Sequence, residues 1–81
     1  MPWFVYIIAC NDGSFYTGIS NNPEARIAAH NAGKGAKYTK GRGPVVLKAL
    51  FEFETKKDAM KEEYRIKQLD KFRKIKLFNV F

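Results

Sequence analysis

The chain opens on an unbroken apolar run, Trp3 to Cys10 (WFVYIIAC), rich in β-branched and aromatic residues, which predicts a buried strand. Asn11-Asp12-Gly13 is a turn signal, and Ser14 to Ser20 (SFYTGIS) predicts a second strand paired to the first as a hairpin. Asn22-Pro23-Glu24 supplies an N-cap, a proline for the first helical position and an acid for the first turn. The helix it opens is expected to run to about Asn31, with Gly33 as its stop. Val45 to Phe53 (VVLKALFEF) predicts a third strand. Thr55-x-x-Asp58 is a capping signature for a second helix reaching about Leu69, its buried face marked by Ala59, Met60, Ile66 and Leu69. Asp70 is placed to cap a short third helix over roughly Lys71 to Phe78. The resulting order, β-β-α-β-α-α, describes a small α+β domain: a three-stranded antiparallel sheet flanked by helices.

The register of the hairpin decides which side chains share a face. A two-residue loop at Asp12-Gly13 pairs Asn11 with Ser14 and sends Tyr6 and Tyr16 to opposite faces. A three-residue loop, Asn11 to Gly13 with Gly13 in the left-handed region, pairs Cys10 with Ser14 instead. Tyr6, Ile8, Tyr16 and Gly18 then lie on one face, because side chains alternate with period two. The local residues allow both turns.

Composition narrows the class. With 81 residues the chain is expected to form one domain over its whole length, since two cores would each be too small to fold unaided. A hydrophobic content of 46% and an aromatic content of 15% exclude a disordered tail. Lys and Arg outnumber Asp and Glu by 15 to 8, and the net charge of +7 favours a polyanionic partner, either nucleic acid or an anionic membrane surface. No apolar run approaches the roughly 18 to 20 residues that span a bilayer. Met-Pro-Trp-Phe at the start lacks the basic region of a signal peptide, so a cytoplasmic location is expected. One cysteine excludes an internal disulfide and a zinc finger.

The positive charge is segregated. No acid falls between Glu24 and Glu52, whereas Arg26, Lys34, Lys37, Lys40, Arg42 and Lys48 all do. Gly33 to Pro44 (GKGAKYTKGRGP) is a glycine-rich basic loop with Tyr38 among its cations, a composition suited to phosphate contacts and base stacking. The plainer reading is a solvated loop. Residues 56–76 are basic too, but interspersed acids make them an ordinary solvated face. Phe72 to Phe81 mixes Phe and Leu with Lys and Arg as interfacial helices do. It is short, and so small a domain needs those aromatics for its core, so no membrane partner is expected.

P-loop and zinc-ligand patterns are absent, and a Cys10/His30 nucleophilic pair is weakened by the position of Cys10 at the end of an apolar strand, where it reads as packing. Gly18 leaves space around the Tyr16 ring. Arg26 and His30, at i and i+4, face the same way on the first helix. Glu62 and Glu63 both project within the apolar stripe of the second helix, where a carboxylate needs a cation, hydrogen bonds or a metal. The wheel leaves the choice between them open.

Together these residues resemble the GIY-YIG nuclease family. Val5-Tyr6-Ile7 stands for its first motif and Tyr16-Thr17-Gly18 for its second, with Thr in place of the middle Ile. Ten residues separate the tyrosines, Arg26 follows Tyr16 by ten, and His30 stands four further on. Ala59-x-x-x-Glu63-x-x-Ile66-Lys67 resembles the pattern around the family's metal-binding Glu and selects Glu63 over Glu62. His30-Asn31-x-Gly33-Lys34-Gly35-Ala36-Lys37-Tyr38-Thr39 is similar to the loop of the short stand-alone members grouped as UPF0213 (YhbQ-like) proteins. The family's late Asn is matched only loosely, by Asn79, and Ile19 stands where some relatives have Lys.

The resemblance implies that both tyrosines line one site, hence the three-residue hairpin loop. It implies a phosphodiester endonuclease acting on DNA rather than RNA, with one Mg²⁺ or Mn²⁺ on Glu63, Arg26 on the phosphate, Tyr6 positioning by its hydroxyl, and Tyr16, assisted or replaced by His30, as base. Free tyrosine has a pKa of about 10, so a phenol base needs nearby cations, whereas imidazole, near 6.5, is the easier base on charge grounds. Lys34, Lys37, Tyr38, Lys40 and Arg42 are the nucleic-acid contacts of this reading. A non-catalytic nucleic-acid-binding module on the same fold is the alternative, and a protein partner docking on the C-terminal aromatics is a third.

Overall fold

A computed structural model describes residues 1–80. The elements follow the expected order: β1 (Trp3–Ala9), β2 (Phe15–Ser20), α1 (Pro23–Asn31), β3 (Val46–Phe53), α2 (Lys56–Lys67) and α3 (Lys71–Ile75). The strands form one antiparallel sheet in the order β2-β1-β3. Central β1 is covered on both faces, which is why its run is apolar without alternation: Val5 to Ile8 are all buried.

The hairpin takes the three-residue loop. Cys10 N–H donates to Ser14 C=O at 2.8 Å, Gly13 N–H donates to Cys10 C=O at 3.0 Å, and Gly13 has φ +85. Tyr6 therefore pairs with Gly18 and Ile8 with Tyr16.

The caps explain the helix boundaries. Asn22 Oδ1 accepts from Ala25 N–H at 3.2 Å ahead of Pro23. At the other end, Gly33 N–H donates to His30 C=O at 3.1 Å and Lys34 N–H to Ala29 C=O at 2.8 Å, with Gly33 at φ +75. This Schellman arrangement ends α1 where the glycine predicted. Thr55 Oγ1 caps α2 through Asp58 N–H, and Asp70 Oδ1 caps α3 through Arg73 N–H.

Alternate residues of the sheet feed two cores. Val5, Ile7 and Ala49 pack under Ala59 and Ile66 of α2, joined by Trp3, Phe15, Leu77 and Phe78. Tyr6, Ile8, Cys10 and Val45 pack on the other side with Tyr16, Ile27, Leu47 and Leu50.

Three expectations need correction. Met60 is 50% exposed rather than part of the buried face of α2, because that helix rests on the sheet along a narrow line through Ala59 and Ile66. The third helix stops at Ile75, and of the described residues beyond it Leu77 and Phe78 turn into the core. Phe72 stays 81% exposed, so the C-terminal aromatics are not all core residues. β3 also carries a bulge: Ile7 pairs with Ala49 but Ile8 with Leu47, leaving Lys48 as the extra residue. The Lys48 carbonyl accepts from Asn79 N–H and Val80 N–H at 3.0 and 3.1 Å. The Asn79 amide pairs twice with the Leu50 backbone, so Asn79 closes the outer side of β3.

Candidate active site

Four of the five residues singled out for chemistry meet on the α1 side of the sheet. Period-two alternation and the hairpin register turn Tyr6 and Tyr16 to this face, with ring centroids 6.4 Å apart. Gly18 makes that juxtaposition fit: a Cβ there would lie 2.5 Å from Tyr6 Oη and 3.1 Å from Tyr16 Cε2. The last turn of α1 brings in His30, whose Nε2 lies 2.8 Å from Tyr6 Oη and whose ring centroid is 5.3 Å from that of Tyr16. One turn earlier stands half-buried Arg26, its guanidinium near enough to both Tyr6 and His30 to perturb their titration. Among the described residues no carboxylate lies within salt-bridge distance of Arg26.

Burial sets the protonation of both Tyr6 and His30. Burial pushes the Tyr6 phenol up to about 12, against the pull of Arg26 and helped by the negative charges that Tyr16 and Glu63 carry when ionised. Tyr6 is therefore a neutral phenol at physiological pH. His30 is only 1% exposed, and burial first, then the Arg26 charge, hold its pKa below the ordinary histidine value. It is a neutral imidazole.

Glu63 belongs to the flank of the α2 contact line. Its carboxylate is near enough to Tyr6 for its charge to act on the phenol, and Lys67 Nζ lies 3.3 Å away. Glu62 is engaged differently: Arg65 holds it at 2.5 and 3.0 Å, and that hydrogen bonding keeps its carboxyl below the usual range. Both half-buried acids thus have the partners their positions demanded, and Glu63 is the one whose charge reaches Tyr6. Among the described residues no cluster of three His, Cys, Asp or Glu side chains forms a protein-only metal cage. A lone, partly open carboxylate suits a hard divalent ion that keeps several waters and shares phosphate oxygens.

The basic loop is part of the site. Its single 3₁₀ turn, Lys37–Thr39, seals His30 from above. Thr39 Oγ1 is 2.7 Å from His30 Nδ1 and Ala36 N–H donates to the same nitrogen at 3.3 Å. A Cβ on Gly35 would lie 2.6 Å from His30 Cγ, so the loop backbone lies against the ring. Tyr38 stacks on Tyr16 at 5.8 Å, and Arg42 sits 4.5 Å over Tyr38 while pairing with Asp12 of the hairpin turn. The nucleic-acid contacts expected from this loop therefore divide. Lys34, Lys37 and Lys40 are exposed, Tyr38 presents its outer part, and Arg42 is already engaged in bracing the loop against the hairpin. Thr39 and Gly35 escaped the sequence reading. The signals were a hydroxyl amid lysines and a second glycine with no turn to make.

A three-stranded α+β domain with two tyrosines paired across a hairpin, an arginine and a histidine one helical turn apart, and a carboxylate in electrostatic reach defines a narrow class of protein. The family model described as the GIY-YIG catalytic domain matches residues 2–76, and the chain belongs to that family. It is 55% identical over 74 residues to a UPF0213 protein of Oceanobacillus iheyensis, covering 91% of this chain and 86% of that one. It is 53% identical over 74 residues to a UPF0213 protein of Halobacterium salinarum, covering 91% and 96%. The solution NMR structure of a UPF0213 protein from Bacillus halodurans superposes with TM-score 0.60 at 48% identity, covering 95% of this chain and 82% of that one. A solution NMR structure of an E. faecalis protein gives 0.65 at 38%, covering 94% and 81%.

Proposed function

We propose that this protein is a divalent-metal-dependent endonuclease that hydrolyses phosphodiester bonds in DNA. The observation that carries the reading is the convergence of Tyr6, Tyr16, Arg26 and His30 on one face of the sheet, with the charge of Glu63 reaching the same phenol. Membership of the GIY-YIG family supports it.

Each residue takes the part its surroundings allow. Arg26, free of carboxylate partners among the described residues, makes charge-assisted contacts to phosphate oxygens and offsets the charge that builds on them. Tyr6, kept protonated by burial, donates a hydrogen bond. Tyr16, half-buried rather than sealed, is the group an incoming water meets, and in its phenolate form it takes one proton of that water as the water oxygen attacks phosphorus and the P–O bond to the leaving oxygen breaks, ending as neutral phenol. Glu63 holds Mg²⁺ or Mn²⁺, which when bound supplies charge neutralisation for the phosphate and leaving oxygens. Exposed Lys34, Lys37 and Lys40 contact flanking phosphates, whereas the Tyr38 ring is already taken up by Tyr16 and Arg42 and serves to hold the loop on the site.

A cleavage panel of single-stranded, nicked, flapped and branched DNA with Mg²⁺ or Mn²⁺ tests this. Nicking by the wild type is expected, with Arg26→Ala and Glu63→Ala each lowering the rate by roughly 10²-fold or more. If the wild type cleaves nothing yet binds DNA with a steep salt dependence, the chain is a binding module and the catalytic reading fails.

A further inference from the structure

The two tyrosines of the site are held by different means. The Tyr6 hydroxyl lies 2.8 Å from His30 Nε2, whereas no hydrogen bond among the described residues orients the Tyr16 hydroxyl. The Tyr16 ring is placed by packing instead. Three rings surround it, with centroids 5.3 Å away for His30, 5.8 Å for Tyr38 and 6.4 Å for Tyr6. His30 and Tyr6 meet it at 57° and 44°, while Tyr38 lies flatter against it at 28°. Beside it Gly18 leaves a notch, since a Cβ there would come within 3.1 Å of Tyr16 Cε2. A ring next to a missing side chain stays put only if something walls it in, and Tyr38 is the wall that the basic loop supplies. What holds Tyr38 returns to the same hairpin. The Arg42 guanidinium lies 4.5 Å over the Tyr38 ring and pairs with Asp12. Asp12 Oδ1 accepts from Ser14 N–H at 3.0 Å, and Arg42 C=O accepts from Asn11 N–H at 2.7 Å. The path Asp12–Arg42–Tyr38–Tyr16 thus leaves the hairpin at its turn and rejoins it on β2.

We infer that Tyr38, clasped by Arg42, is a positioning residue that keeps the Tyr16 ring in the notch left by Gly18, so that the basic loop sets the direction of the Tyr16 hydroxyl. The placement of the ring stands on packing alone. That the placement serves proton transfer from water rests on the nuclease reading. The stack needs a ring and not a hydroxyl, so phenylalanine can replace Tyr38 and alanine cannot. Tyr38 is 43% exposed, and a residue so exposed in a basic loop is otherwise read as a DNA contact. The two roles differ in kinetics. Loss of a DNA contact raises KM, whereas a misplaced base lowers kcat and leaves KM unchanged.

Nuclear Overhauser spectra of the free protein test the placement. Contacts from the Tyr16 ring protons to Gly18 and His30 should be present in wild type, retained in Tyr38→Phe and lost in Tyr38→Ala. In a cleavage assay Tyr38→Ala should lower kcat about tenfold with KM unchanged, and Tyr38→Phe should rescue it. Tyr16 contacts that persist in a folded Tyr38→Ala protein overturn the inference. So does a Tyr38→Ala protein with raised KM and wild-type kcat, which marks a DNA contact, and so does a Tyr38→Phe protein as impaired as Tyr38→Ala. Where Tyr38→Ala does not fold, Arg42→Met, which removes the charge over the ring and the pairing with Asp12, should weaken the same Tyr16 contacts and lower kcat, and no change in either overturns the inference. The expected spectra in a protein that cleaves no DNA would sink the nuclease reading alone.

Discussion

The two faces of β1 are built from consecutive residues of one strand, yet they have opposite chemistry. Val5 and Ile7 meet Ala49, Ala59 and Ile66 in a core held by apolar contact. Tyr6, one residue away, is buried as deeply but is hydrogen-bonded to His30, which is bonded in turn to the loop. The first face tolerates no polarity, and its exception is instructive: Thr17 is 3% exposed and its hydroxyl has no hydrogen-bond partner among the described residues. The second face sets a buried polar chain, Tyr6–His30–Thr39, among apolar neighbours such as Ile8 and Val45, and every member of that chain is partnered. Burial therefore serves stability on one side and positioning on the other.

That contrast can be broken from either side. The largest effect is expected on the apolar face, where Ile66→Ala should lower unfolding free energy by about 2–5 kcal/mol in a denaturant titration, through lost burial and an unfilled cavity. The folded fraction should keep its Tyr6–His30 hydrogen bond, read from the His30 ring resonances. On the polar face Gly18→Ala should cost roughly 1–3 kcal/mol, because the new methyl overlaps Tyr6 Oη and neither tyrosine can retreat without leaving His30. Unlike Ile66→Ala, it should also disturb the His30 resonances.

Acidification probes the polar face alone. Since the pKa of His30 is depressed on folding, the unfolded chain binds its proton at a higher pH than the folded one. The stability it contributes is present in full above the ordinary histidine value near 6.5 and is lost as pH falls from there through the lower folded value. Chemical denaturation at stepped pH should show that decline in wild type and a flatter profile in His30→Gln over the same window. The smallest effect is a gain: Thr17→Val removes an unpartnered buried hydroxyl and should stabilise by about 1 kcal/mol, raising Tm by several degrees.

Much of this was legible in the residues. Element order, the caps at Asn22, Thr55 and Asp70, and the stop at Gly33 depend on local chemistry and are met as expected. The hairpin register was not settled by Asn11-Asp12-Gly13 alone. It followed from requiring Tyr6 and Tyr16 on one face, and the φ of Gly13 agrees. What stayed hidden depends on contacts distant in sequence. His30 is ordinary on a helical wheel, and nothing in α1 announces that a loop nine residues later will close over it through Thr39. Arg42 reads as one more phosphate-seeking cation until its pairing with Asp12 is seen. Met60 reads as core because a wheel cannot show how narrowly α2 touches the sheet.

The seating of Asn79 has a consequence for how copies of this molecule meet. β3 lies at a sheet border, and a bare border offers a row of donors and acceptors to any neighbouring chain. By answering the Leu50 N–H and C=O with a side-chain amide, and Lys48 C=O with two backbone donors, the terminal segment occupies part of that row with groups that cannot propagate a ladder. Trimming or displacing it would expose the row for strand exchange, so the tail acts as a guard against self-association.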